Sequence, residues 1–171
     1  MNRISPSPDV RERVGVRAVA VGVAALLFGG CAFFGAEHGT AELDSALARS
    51  DRVLRESKTV SSLAAIEKSL DDYVQHEGKI PARLDVLIPK YAAEIPLADP
   101  AVSRHAASNN VTYYPSSVIR DGVVDGTRLK DSDGWGYAAN DRQIIIFVNC
   151  THTNSHDRPW YREPGTLQWS R

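Results

Sequence analysis

The chain has 171 residues, 20 lysines and arginines against 21 aspartates and glutamates, and two cysteines. Residues 1–31 hold four of the arginines and two of the acids, so the remainder carries 16 basic and 19 acidic residues, a net of −3. That balance lacks the basic footprint of a nucleic-acid binder, and the length suits one domain with a buried core behind an N-terminal address segment.

Arg3, Arg11, Arg13 and Arg17 precede a stretch from Ala18 to Ala36 that has no charge. A basic region followed by an apolar region reads as an export signal. Within it, Leu26-Leu27-Phe28-Gly29-Gly30-Cys31 resembles a bacterial lipobox, with small residues before a cysteine that closes the apolar run. The resemblance implies a lipoprotein-type signal peptide over residues 1–30 and acylation of Cys31. The acyl chains would anchor the protein by ~0.8 kcal/mol per buried methylene. An uncleaved membrane anchor is the alternative, because the 19 uncharged residues approach the ~20 that span a bilayer. Gly22, Gly29, Gly30 and Gly35 weaken that alternative by lowering helix propensity. A cleaved, unlipidated secretory product is a third reading.

Residues 31–40 read as a lipidated tether, and a domain is expected over 41–171. From Ala41 to Lys58, Leu43, Leu47 and Leu54 recur at helical spacing among many charges, as in a helix that packs lightly and projects from the body. The pattern loses phase near Ser57 to Thr59, which leaves two expectations: one long helix that changes its exposed face, or two helices in line. Leu63, Ile66, Leu70, Tyr73 and Val74 then form an apolar stripe of helical period opposite Glu67, Lys68, Asp71, Asp72 and Gln75. Gly78 is placed for a left-handed cap, and Pro81 follows where it no longer obstructs the helix. Up to Pro96 the pattern reads as turn, short helix and turn, and Ala101 to Asn110 reads as a loop.

Val111-Thr112-Tyr113-Tyr114 has strand chemistry and is stopped by Pro115. Asp121-Gly122 and Asp125-Gly126 are turn signals on either side of Val123 and Val124. Gly134 to Ala138 and Gln143 to Asn149 are expected to pair as a hairpin through Asn140-Asp141. Ile144 to Val148 is apolar without alternation, so this strand should be buried on both faces, one of them under the central helix. The polar tail from Thr151 to Arg171 is expected to wrap the sheet edge.

The order of apolar N-terminus, long helix, glycine-proline connector and sheet resembles the type IV pilin-like fold, especially the major pseudopilins of type II secretion. The likeness rests on the helix exit Tyr73 to Pro96, on Tyr91 to Pro96, and on Asp133-Gly134-Trp135-Gly136-Tyr137 followed by Ile146 to Thr153. It implies an α+β fold with one long N-terminal helix packed on a small antiparallel sheet, and a role in protein contacts at the cell envelope, on the outer membrane or the periplasmic face. Gly22, Gly30 and Gly35 lack the glutamate that follows a prepilin cleavage site at the fifth position, since Leu27, Gly35 and Thr40 stand there. The chain thus resembles a pilin head on a lipid anchor. A filament subunit would need its N-terminus retained in the membrane as a helix.

The pseudopilin resemblance also implies calcium near the sheet, with Asp131 and Asp133 as candidate ligands and Asp99, Asp125 or Asp141 needed to approach calcium's 6–8 oxygens. A plain turn is the simpler account of that aspartate pair. Cys150, His152, His156 and Asp157 form the one cluster with zinc-type donors, in a spacing that matches no established finger; taken alone, Cys150 reads as a buried thiol. No serine elbow, phosphate loop or zinc-protease helix is present, and His76-Glu77 lacks a second histidine, so no enzymatic activity and no resident cofactor are expected. Trp135, Trp160 and Trp169 read as core or edge residues.

Overall fold

A computed structural model of the protein describes residues 36–163 and 165–168. The signal peptide expected over 1–30, the lipidation expected at Cys31 and Trp169 lie outside these residues. One helix, α1 (Ala36–Glu77), covers both helical stretches without a break. Residues 36–40, read above as tether, are therefore helical. Among the described residues no helix is long and apolar enough to cross a membrane.

The loss of phase within α1 has a physical cause. Its C-terminal half buries Leu63, Ile66, Leu70, Tyr73 and Val74 in the main core. One to three turns earlier the same side of the helix carries Arg52, Arg55, Glu56 and Thr59, which meet the body through hydrogen bonds instead of apolar packing. The apolar residues Leu43, Leu47, Val53, Leu54 and Val60 lie off that side and are all at least half exposed. The helix ends where the sequence predicts, with Gly78 at φ +65° and its N–H donating to the Val74 carbonyl at 3.0 Å. The connector forms a short 3-10 turn at Leu84–Leu87, whose two leucines are fully buried.

β1 (Val111–Tyr114) leads through residues 115–134 to the rest of the sheet. Within that passage β2 (Ile119–Arg120) and β3 (Val123–Val124) pair antiparallel around Asp121 and Gly122, both at positive φ as a primed turn requires. β4 (Trp135–Ala139) and β5 (Gln143–Val148) form the expected hairpin, and β6 (Gly165–Gln168) adds to its far side. The strand order is β1-β4-β5-β6.

Two expectations change. The sheet is mixed rather than antiparallel, because β1 runs parallel to β4 with Val111 opposite Trp135. The parallel pair is possible because residues 115–134 are long enough for a crossover, which needs a dozen or more residues. The tail does not merely wrap the sheet edge; it supplies β6 as an edge strand.

β5 is buried on both faces, as its unbroken apolar run implies. Ile144, Ile146 and Val148 join Trp135, Tyr137 and the stripe of α1, while Ile145 and Phe147 pack with Ala138 against Val124 of the small hairpin and Val118 just before it. The domain therefore has three layers: helix and connector, sheet, and the β2–β3 hairpin. Each large aliphatic side chain so buried contributes roughly 1.5–3 kcal/mol. Trp135 and Trp160 are both core residues, and their indole N–H groups donate to the carbonyls of Pro96 and Pro100 at 2.8 and 3.1 Å, which fixes the 96–100 connector over the sheet.

Candidate metal centre

Three segments converge at the end of the β4–β5 hairpin. The first is the 97–110 loop, pinched by the antiparallel bridge between Ala98 and Ser108, which presents His105. The second is the 131–133 turn just before β4. Buried Asn149 fixes this turn, since its amide donates to the Ser132 hydroxyl at 2.6 Å while its carbonyl oxygen accepts from Tyr114 at 2.7 Å. Gly134 allows the turn to enter β4. It has φ +83°, and a Cβ there would lie 2.3 Å from the Asn110 carbonyl oxygen. The third segment is the exit of β5, carrying Cys150 and His152.

One donor atom from each of His105, Asp131, Cys150 and His152 comes within 4.8 Å of all the others. His105 Nε2 is 3.4 Å from Asp131 Oδ1, His152 Nδ1 is 3.7 Å from Asp131 Oδ2, and Cys150 Sγ is 3.6 Å from His152 Nδ1. The two imidazoles meet edge to face, with centroids 5.2 Å apart. A tetrahedral zinc with bonds of 2.0–2.3 Å places its ligand atoms roughly 3.3–3.8 Å apart. Those three pairs already stand at that separation.

The orientation of His105 is the decisive detail. Its side chain is 5% exposed, and Nδ1 lies 2.9 Å from Asp133 Oδ1. An ionised carboxylate only accepts, so Nδ1 carries a proton, and in the neutral tautomer this leaves the lone pair at Nε2. That nitrogen is buried and, among the described residues, has no hydrogen-bond partner. A carboxylate holding the far nitrogen of a histidine whose near nitrogen faces other donors is the arrangement that orients metal-binding imidazoles.

Electrostatics are consistent with an anionic pocket. Burial works against ionisation of Asp131, but the Thr151 N–H at 2.6 Å outweighs it, joined by the positive charge of His105 and His152 when those rings are protonated, and the carboxyl is held below its usual range. Burial pushes the Cys150 thiol up to about 11; the His152 N–H offsets this in part, and the charges of Asp131 and Asp133 add to it.

The structure divides the sequence candidates differently from their spacing. Asp131 and Asp133 are neighbours in space as in sequence, but Asp131 faces the donor cluster while Asp133 is occupied by His105 and the Ala106 N–H. Cys150 and His152 join the cluster. His156 and Asp157 do not; they lie in an exposed turn organised by Asn154. The other oxygens considered for calcium are engaged elsewhere or remote: Asp99 with Arg55, Asp125 with Thr127 and Arg120, and Asp141 exposed in the hairpin turn. His105 was missed because it sits in a polar loop with no local spacing to any other ligand.

The two outer segments of the site also grip α1. Asp99 receives a two-pronged contact from Arg55 at 2.8 and 2.8 Å, and its backbone exchanges hydrogen bonds with the Thr59 hydroxyl at 2.7 and 2.8 Å. Beyond His152, the Thr153 carbonyl accepts from Arg52 at 3.1 Å, and the Ser155 N–H donates to the buried carboxylate of Glu56 at 3.0 Å. Compared with known proteins, the chain matches no family, no curated protein and no solved structure.

Proposed function

We propose that this protein is a lipid-anchored module of the cell envelope whose pilin-like α+β head holds a divalent transition metal at His105, Asp131, Cys150 and His152, and which acts through protein contacts rather than by catalysis. One observation carries the metal reading: the buried, unpartnered Nε2 of His105, turned into the donor cluster by the hydrogen bond of Nδ1 to Asp133. A thiol, two imidazoles and one carboxylate suit zinc-class ions. Calcium requires 6–8 oxygens, and here the oxygens of Asp131 face nitrogen and sulfur, so the donor chemistry favours zinc over the calcium expected from the pseudopilin likeness. Four protein ligands close a coordination sphere, which favours a structural ion over one with an open position for substrate.

The test is titration of the metal-free protein with cobalt(II). Visible bands of tetrahedral cobalt and a thiolate charge-transfer band are expected, both displaced by zinc(II), with the thiolate band absent in Cys150→Ser. Calcium-dependent melting without any cobalt spectrum would overturn the zinc-class reading. The contact role is supported by the exposed apolar residues Leu43, Leu47, Val53, Leu54 and Val60 on a helix that the N-terminal segment would tie to a membrane.

A further inference from the structure

We infer that the metal is a latch: a zinc ion in a closed four-ligand site that ties the 97–110 loop to the 150–160 segment and so locks the middle of α1, Arg52 to Thr59, onto the head. The inference rests on the metal reading above and adds to it what the ion is for. Its ground is that the segments bearing His105, Cys150 and His152 are the same two that hold α1 between Arg52 and Thr59. Asp99 lies six residues before His105, and Thr153 directly follows His152.

That grip is weak alone. Arg52 and Arg55 have side chains 42% exposed, and ion pairs open to water contribute little because solvation competes and long side chains must be ordered. Without an ion, the loop and the tail segment are joined by the Trp160 indole on the Pro100 carbonyl, by the edge-to-face contact of His105 with His152, and by the core that Ala98 and Val102 share with Cys150 and Trp160. An ion bonded to His105 on one side and to Cys150 and His152 on the other makes separation of the two segments require its release. Asp131 adds the third segment, anchored to the sheet through Asn149 and Ser132. Binding forms a zinc–sulfur bond and releases the Cys150 thiol proton to water; Asp131 enters ionised and both imidazoles neutral.

At a free metal concentration about 100 times Kd, an opening that must release the metal becomes about 100-fold rarer. Hydrogen exchange read by mass spectrometry on the full-length protein in detergent, with zinc(II) chloride or with EDTA, measures this directly. Zinc should slow exchange in residues 50–62, 97–106 and 150–158 by up to about 100-fold and leave residues 66–77 much less affected. Cys150→Ser and His105→Gln should abolish the response, with near-ultraviolet circular dichroism of the buried tryptophans showing that each variant is folded. If a variant does not fold, Glu56→Gln serves instead: it should speed exchange in 50–62 while leaving the cobalt spectrum intact. Cobalt binding with exchange in 50–62 unchanged by zinc would overturn the latch and leave the metal site standing. Absence of cobalt binding would overturn both.

Discussion

Glu56 sits at 5% exposure in the middle of a helix that is otherwise heavily solvated at that height. Burial disfavours its charge, but hydrogen bonds from Ser155 and Arg52 outweigh burial, and its carboxyl is held below the usual range. A folded-state value below the unfolded one means that the unfolded chain binds more protons. The stabilisation is therefore present above the ordinary glutamate value of about 4.3 and fades as pH falls through the lowered folded value. Glu56→Gln should cost about 1 kcal/mol at neutral pH, the difference between a charged and a neutral hydrogen bond. It should also flatten the loss of stability below about pH 4.3, as read from denaturant unfolding at several pH values. Gly134 illustrates a second kind of constraint. Gly134→Ala meets both a left-handed backbone and the Asn110 carbonyl, and the backbone alone costs about 1–3 kcal/mol. Thermal unfolding should show a loss at least that large, and an unchanged midpoint would contradict the geometry.

Along α1 the energetics divide between its two halves. Residues 63–77 are held by apolar burial and residues 52–59 by polar contacts, while residues 40–51 are exposed. A helical segment without tertiary packing is marginal below about 12–15 residues. Amide exchange protection should therefore climb from Thr40 to Leu70. Replacing Leu43, Leu47 and Leu54 by serine should change stability by no more than ~0.5 kcal/mol each, the usual range for surface positions, whereas Leu70→Ala should cost about 2–5 kcal/mol. Denaturant unfolding of the two sets separates them; a large effect from the exposed leucines would mean that this face packs against something in the isolated protein.

At the largest scale, the three-layer head has its sheet covered by α1 on one side and the β2–β3 hairpin on the other, so among the described residues the helix arc and the loop end with the donor cluster are the surfaces that the proposed role would use. The proposed lipid anchor would decide how that surface is presented. Labelled palmitate and intact mass on wild type beside Cys31→Ala test it: lipid on the wild type with cleavage before residue 31, absent from the variant, is expected. An unlipidated product that keeps residues 18–36 would sink the lipoprotein reading and restore a membrane-embedded, pilin-like subunit.

The sequence by itself determined what depends on neighbours along the chain. The stripe from Leu63 to Val74, the Gly78 cap, the strand ending at Pro115, the Asn140-Asp141 hairpin turn and the two-sided burial of Ile144 to Val148 are all local patterns of period, cap and turn chemistry, and each stands in the structure as read. What only the tertiary structure decided involves residues far apart in the chain. The parallel pairing of β1 with β4 depends on where a 20-residue crossover lands, and the pairing of the tail as β6 depends on an open edge of β5. The loss of helical phase near Ser57 was visible, but not its cause, because the partners of Arg52, Arg55, Glu56 and Thr59 lie 40 or more residues away. The donor cluster is the clearest case. Asp131 and Asp133 were legible as a pair, and Cys150 and His152 as part of a cluster with His156 and Asp157, but nothing local unites the two groups, drops His156 and Asp157 or adds His105; a fold that brings a loop, a turn and a strand exit to one end of the sheet does all three.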